Sequence, residues 1–152
     1  MNNDIKYMSL ALKEAKKAAL KGEVPVGAII VKDEIIIAKA HNLRHTKKSV
    51  TAHAEMLAIQ KATKKLNSWM LDDCTLYVTI EPCLMCSGTI LQSRIKRVVY
   101  GAKEPKFGAM GSIIDISNIS GFNHNIEVTS GIMEEETSQI MKLFFQNLRK
   151  KS

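Results

Sequence analysis

The sequence predicts an α/β fold, a three-layer α-β-α sandwich built on one mixed five-stranded sheet. Three observations carry this. Short apolar runs of strand length alternate with longer segments whose apolar residues recur at helical spacing. Two early runs, Val26 to Val31 and Ile35 to Ala38, flank the polar turn Lys32-Asp33-Glu34 and so pair as a hairpin. The alternation of later strands with helices covers both faces of the sheet and makes it mixed.

The elements follow in order. From about Asp4 to Leu20, the residues Ile5, Met8, Leu12, Ala15 and Ala19 mark one helical face, and Gly22 supplies a stop. The near-continuous apolar character of the two hairpin strands predicts burial on both faces. A polar loop runs from His41 to Val50. Thr51 is the N-cap candidate for a helix reaching about Lys65, although Ala54 denies it a capping box. Cys74 to Ile80 reads as a strand, Pro82 to Gln92 as a helix and Arg97 to Gly101 as a strand. Gly101 to Gly121 reads mostly as loop, with a helical turn near Ile113 to Ile116. Ile126 to Ser130 is the last strand and Glu134 to Arg149 the last helix. No repeat, low-complexity tract or linker divides the chain, and its 152 residues suit a single domain spanning 1–152.

Composition narrows the class. Hydrophobic residues make up 45% and charged residues 24%, the balance of a soluble globular protein. There are three cysteines, an odd number that suits a reducing cytosol better than a disulfide framework. No apolar run reaches transmembrane length and the N-terminus lacks a signal-peptide core, so a cytoplasmic protein with no membrane partner is expected. The formal net charge is +7. Such an excess favours a polyanion partner, although a solvated lysine-rich surface would give the same count.

The chemistry concentrates in His53-Ala54-Glu55 and Pro82-Cys83-Leu84-Met85-Cys86. One histidine and a C-x₂-C pair are three good zinc ligands, and three protein ligands leave a tetrahedral zinc one position for water. Pro82 suits the first helical position, which sets Cys83 and Cys86 at i and i+3 on one face, where a helix N-terminus favours thiolate. Positions i and i+2 diverge on a helix, so His53 and Glu55 do not both bind one ion. The arrangement assigns His53 to the metal and Glu55 to the protons of the water. A redox C-x₂-C lacks a thioredoxin-like context. A structural zinc would need a fourth ligand from His41, His45 or His124 and leaves Glu55 without a role. Cys74 opens an apolar strand and reads as core, and Met56, Met85, Met110 and Met141 read as packing.

These residues carry a resemblance. His53-Ala54-Glu55 with Pro82-Cys83-x-x-Cys86 resembles the signature of the zinc-dependent nucleobase deaminases. Glu23 to Ala28, His41-Asn42, Thr51 to Glu55, Thr75 to Cys83, Ser93-Arg94-Ile95, Val98 to Ala102, Phe122-Asn123-His124 and Phe144 to Arg149 resemble bacterial tRNA adenosine deaminases in order along nearly the whole chain. The resemblance implies a cytidine deaminase-like sandwich with one zinc ion per subunit, held by His53, Cys83 and Cys86. It implies conversion of adenosine to inosine at the wobble position of a tRNA anticodon, chiefly of an arginine tRNA. Attack falls on C6 of a flipped adenine, with Glu55 moving the protons. Asn42 is similar to the family's base-contacting asparagine, and Val26, Ala54 and Leu84 to its pocket walls, although ordinary core would also account for these three.

The resemblance further implies a homodimer and contacts to the anticodon stem-loop from Lys103, Glu104, Lys106, Asn123, His124, Phe144, Phe145 and Arg149. One of the two phenylalanines is expected to be buried, and His124 reads equally as a satisfied loop histidine. The chain departs from the usual pattern at Glu104, where relatives often have aspartate, and at Phe107 and Met110, where they have small residues. The runner-up is a deaminase of a free base or nucleotide (cytosine, guanine or deoxycytidylate), which shares the zinc motif. The basic balance, the Lys103 to Gly111 loop and the basic, aromatic last helix weigh against it. A non-enzymatic RNA-binding module with structural zinc is the third reading.

Overall fold

The computed structural model describes residues 3–151, and the side chain of Lys151 is not described; Met1, Asn2 and Ser152, the ends of the expected domain, lie outside these residues. Helix α1 spans Asp4–Leu20, as its apolar spacing predicts, and turns out of its last turn at Gly22 (φ 76°). Strands β1 (Gly27–Lys32) and β2 (Ile35–His41) pair antiparallel. Asp33 and Glu34, both with φ above 50°, make the two-residue turn that matches strand twist. A short helix α2 (Arg44–Lys47) interrupts the loop expected between His41 and Val50. Then come α3 (Ala54–Leu66), β3 (Cys74–Ile80), α4 (Leu84–Gln92), β4 (Arg97–Ala102), β5 (Glu127–Thr129) and α5 (Glu134–Lys151).

The five strands run in the order β2-β1-β3-β4-β5. β1 is antiparallel to both β2 and β3, whereas β3, β4 and β5 are parallel, so the sheet is mixed. Helices α1 and α5 cover one face and α3 and α4 the other. Two apolar cores result. Met8, Ala11 and Ile29 help fill the α1 side; Ile30, Leu57, Leu76 and Ile90 help fill the α3 side. β1 is buried on both faces as expected, but β2 is not. It is the sheet edge, and Ile35 is 61% exposed. Apolar composition alone cannot tell an edge strand from its inner neighbour. The helical turn expected at Ile113 to Ile116 is also absent: Met110 and Asp115 form an antiparallel bridge there. None of the described helices is long and apolar enough to cross a membrane.

α1 lies unusually close to the sheet because β1 opens on a glycine. A Cβ at Gly27 would collide with the Ala11 carbonyl oxygen and stand 2.6 Å from the Ala15 nitrogen. Backbone atoms inside a helix cannot give way, so Gly27→Ala will cost about 2–3 kcal/mol by prising α1 from the sheet. Urea denaturation will show this as a lower midpoint. An unchanged midpoint would mean that the helix has room to shift.

Candidate active site

Two helix N-termini meet at one end of the sheet. His53 is the N-cap of α3 (φ −77°, ψ 155°) and Cys83 the N-cap of α4 (φ −75°, ψ 177°). Both helices begin later than the expected Thr51 cap and Pro82 first position. The reason lies in the carbonyls. Ala52 O is taken by Leu43 N (2.9 Å) and Pro82 O by Ala109 N (2.9 Å), so neither can open a helix. His53 O and Cys83 O accept the first helical bonds, from Leu57 N (3.0 Å) and Ser87 N (2.8 Å). His53 therefore stands extended from its helix while Glu55 lies inside it, and the two side chains take different directions.

His53, Cys83 and Cys86 form a metal-competent group, with ligand atoms all within 4.8 Å of one another. His53 Nδ1 is 3.8 Å from Cys83 Sγ and 3.5 Å from Cys86 Sγ. A tetrahedral zinc with ordinary Zn–S and Zn–N bond lengths requires S···N separations of about 3.6 Å. The donor set and spacing fit that ion. His41, His45 and His124 do not join this group among the described residues. His41 Nδ1 instead pairs with Glu14 (2.9 Å), and His124 Nε2 donates to Ile95 O (2.7 Å). The fourth ligand that a closed structural site wants is therefore missing from the group. Cys74 is fully buried, as expected of a core residue.

The electrostatics suit a ligand cluster. Hydrogen bonding to Cys86 and to His53 pulls the Cys83 thiol down to about 4. Bonding to Cys83, then burial, push Cys86 far upward. Burial raises Glu55 to about 7, with the Cys83 charge adding to the rise. Glu55 is only 3% exposed and its carboxyl bonds the Cys86 thiol. A carboxyl poised near neutrality can both accept and return a proton, which proton transfer in a reaction demands.

A cavity of about 580 Å³ opens over this group. Val26, Asn42, Ala54, Leu84, Glu104 and Phe145 line it together with His53, Glu55 and Cys83. Of the three expected pocket walls, Ala54 is fully buried, Val26 is half-buried and Leu84 is 60% exposed, so Leu84 is no core residue. The other residues expected to meet RNA lie outside the cavity lining. Lys103, Lys106, Asn123 and Arg149 are exposed, and Phe144 is half-buried. Neither phenylalanine of the last helix is buried, contrary to expectation. They pack edge to face on each other at 5.3 Å between centroids, in a stretch of α5 whose residues 145–150 are all exposed.

The comparisons decide the family. A family model described as MafB19-like deaminase matches residues 2–149. The chain belongs to that family. The tRNA-specific adenosine deaminase of Bacillus subtilis is 51% identical over 99% of this chain and 94% of its own length. A solved structure from a study of A-to-I editing by tRNA:A34 deaminases at the wobble position of transfer RNA is 41% identical. It superposes with a TM-score of 0.86 over 89% of this chain and 98% of that one. A solved guanine deaminase of Bacillus subtilis is 36% identical with a TM-score of 0.65, over 79% of this chain and 87% of that one.

Sequence reasoning missed how this deaminase holds its cavity rim. Two buried glutamates do it. Glu81, 2% exposed, accepts backbone N–H bonds from Glu104 (3.1 Å), Met110 (3.0 Å) and Ser112 (3.0 Å), and the Ser112 hydroxyl as well. Gly108 lets the loop close over that carboxylate: a Cβ there would collide with Glu81 Cδ and stand 2.5 Å from Glu104 O. Glu23, fully buried, accepts from His45 N (3.1 Å) and Thr46 N (2.6 Å). Burial pushes Glu23 up, but these bonds outweigh it and hold the carboxyl below its ordinary range. The available signal was a glutamate wedged between an apolar strand and a proline, Ile80-Glu81-Pro82. Glu81→Ala strips several backbone donors of their acceptor and will cost about 3 kcal/mol or more. Hydrogen exchange over residues 103–112 will rise in step, and protection equal to wild type would remove Glu81 from this role.

Proposed function

We propose that this deaminase converts adenosine to inosine at the wobble position of a tRNA anticodon, that of an arginine tRNA first of all. The observation that carries the chemistry is the His53, Cys83 and Cys86 group, of which His53 and Cys83 line one cavity together with buried Glu55. The likeness to tRNA-specific adenosine deaminases along nearly the whole chain carries the substrate. His53 Nδ1 and the two thiolates would hold one zinc ion per subunit. When bound, that ion supplies Lewis-acid activation of water near neutral pH.

The rest is the work of this chain. Glu55 takes a proton from the attacking water and delivers it to N1 of the adenine as C6 is attacked. It then carries the second water proton to the exocyclic amine, which leaves as ammonia, and the C6 carbonyl of inosine remains. Val26, Ala54 and Leu84 give the base apolar walls, and Asn42 offers its side-chain amide to the base. Asn42 is held ready by its bonds to Val24 O (3.4 Å) and Arg44 N (3.4 Å). Lys103, Lys106, Asn123, His124, Phe144 and Arg149 extend the contact along the stem-loop, with Glu104 and Phe145 at the cavity itself.

The reading extends to a single cytoplasmic domain over residues 1–152 acting as a homodimer. Trp69, 64% exposed, offers apolar surface to a second copy. The guanine deaminase likeness supports a second reading, free-base deamination. One assay separates them. The protein is given an arginine tRNA anticodon stem-loop, the same RNA with guanosine at the wobble position, and free cytidine, guanine and adenosine. Inosine formed in the first RNA alone is the expected result. Turnover of a free base with comparable efficiency would overturn the reading.

A further inference from the structure

Phe107 is the largest apolar side chain on the loop that Glu81 pins, yet it is 70% exposed. It lines the same cavity as Glu55 and Cys83. Its backbone has little freedom, since Gly108 on one side packs against Glu81 and Glu104 N on the other bonds that same carboxylate. An aromatic ring fixed at a cavity mouth and left to water gains most from a flat apolar face laid on it. The charges beside it say what carries that face. Lys103 and Lys106 are exposed on the same loop, while the carboxylate of Glu104 is engaged by the Lys106 backbone N–H (2.9 Å). A planar ring joined to an anionic backbone is a nucleotide of a single strand.

We propose that Phe107 is a stacking platform for the unpaired base next to the target base, and that it sets how strongly this deaminase depends on that neighbour. The inference rests on the RNA reading above and adds a residue for which that reading has no role. The cavity supports it. At about 580 Å³ it extends from the metal-competent group to Phe107 on the rim loop and Phe145 on α5, so an aromatic ring reaches it from each of two separate elements. Stacking on an aromatic side chain is tolerant of base identity and insensitive to salt, unlike phosphate pairing.

The test uses the full chain and the anticodon stem-loop, with binding and steady-state kinetics read side by side. F107A is expected to weaken Kd and raise KM for the stem-loop about tenfold, with the smaller change in kcat. F107L should behave as F107A, and F107Y or F107W should restore the wild-type values. Two further stem-loops lack the base 5′ or 3′ of the target. On one of them the gap between wild type and F107A should shrink to about twofold or less. The slope of log Kd against log salt should stay at its wild-type value in F107A and fall by about one in K106A.

A wild-type Kd for F107A or for F107L would overturn the proposal. So would a gap that survives on both abasic RNAs, or a sedimentation change that places Phe107 between copies of the chain. Wild-type protein that forms no inosine in the stem-loop defeats the RNA reading itself. Wild-type protein that forms inosine while F107A matches it defeats the stacking proposal alone.

Discussion

Glu55→Gln will lower kcat for the stem-loop by about 10²–10⁴-fold while leaving the protein folded and able to bind RNA. Glutamine keeps the volume of the side chain and its place in α3, so the 3%-exposed site is filled as before. What it loses is the exchangeable proton. Burial raises the carboxyl to about 7, which means that wild-type Glu55 gives and takes protons at little cost near neutral pH. An amide can do neither. Glu55 is not among the three metal-competent residues, so Glu55→Gln should retain metal at wild-type stoichiometry. Kd for RNA should stay within about twofold, since no new charge or cavity is made. Turnover within tenfold of wild type, with metal still bound, would take Glu55 out of the proton path.

That this site is legible in the sequence has a physical cause. Metal ligation needs particular atoms, so the identities of His53, Cys83 and Cys86 carry the information and their fold neighbours matter little. The bounds of α1 also match its apolar spacing, and Met8, Leu12 and Ala15 are buried as expected, but Ile5 of the same expected face is 65% exposed. The errors fall where identity is silent and pairing decides. β2 reads like β1, and only its place at the sheet edge exposes Ile35. The helix starts slipped by two residues each because Ala52 and Pro82 spend their carbonyls on Leu43 and Ala109, both on other segments. Glu81 and Glu23 went unrecognised for a related reason. A buried carboxylate that gathers backbone N–H groups shows in the sequence only through its own setting, as Glu81 does between an apolar strand and a proline, because its partners are donors that nearly every residue owns.

Loss of the metal will have the second large effect, and its pattern separates a catalytic ion from a structural one. Cys86 is fully buried and sits between Cys83, His53 and Glu55, so serine there leaves one good ligand fewer and no room for rearrangement. Cys86→Ser should lose bound zinc and about 10³-fold or more of turnover together. Dialysis of the wild type against a chelator should abolish turnover, and zinc alone should restore it. At zinc about 1,000-fold above its Kd, binding stabilises the fold by about 4 kcal/mol, which for a chain of this size lowers the thermal midpoint by about 10 °C on removal. Glu55→Gln supplies the contrast, because it should keep the zinc and the midpoint and lose only the turnover. An ion that merely braced α3 against α4 would give the reverse: the stripped protein, held at a temperature where it stays folded, would still deaminate its RNA. That result would leave the His53, Cys83 and Cys86 group as a clamp and move the chemistry elsewhere in the cavity.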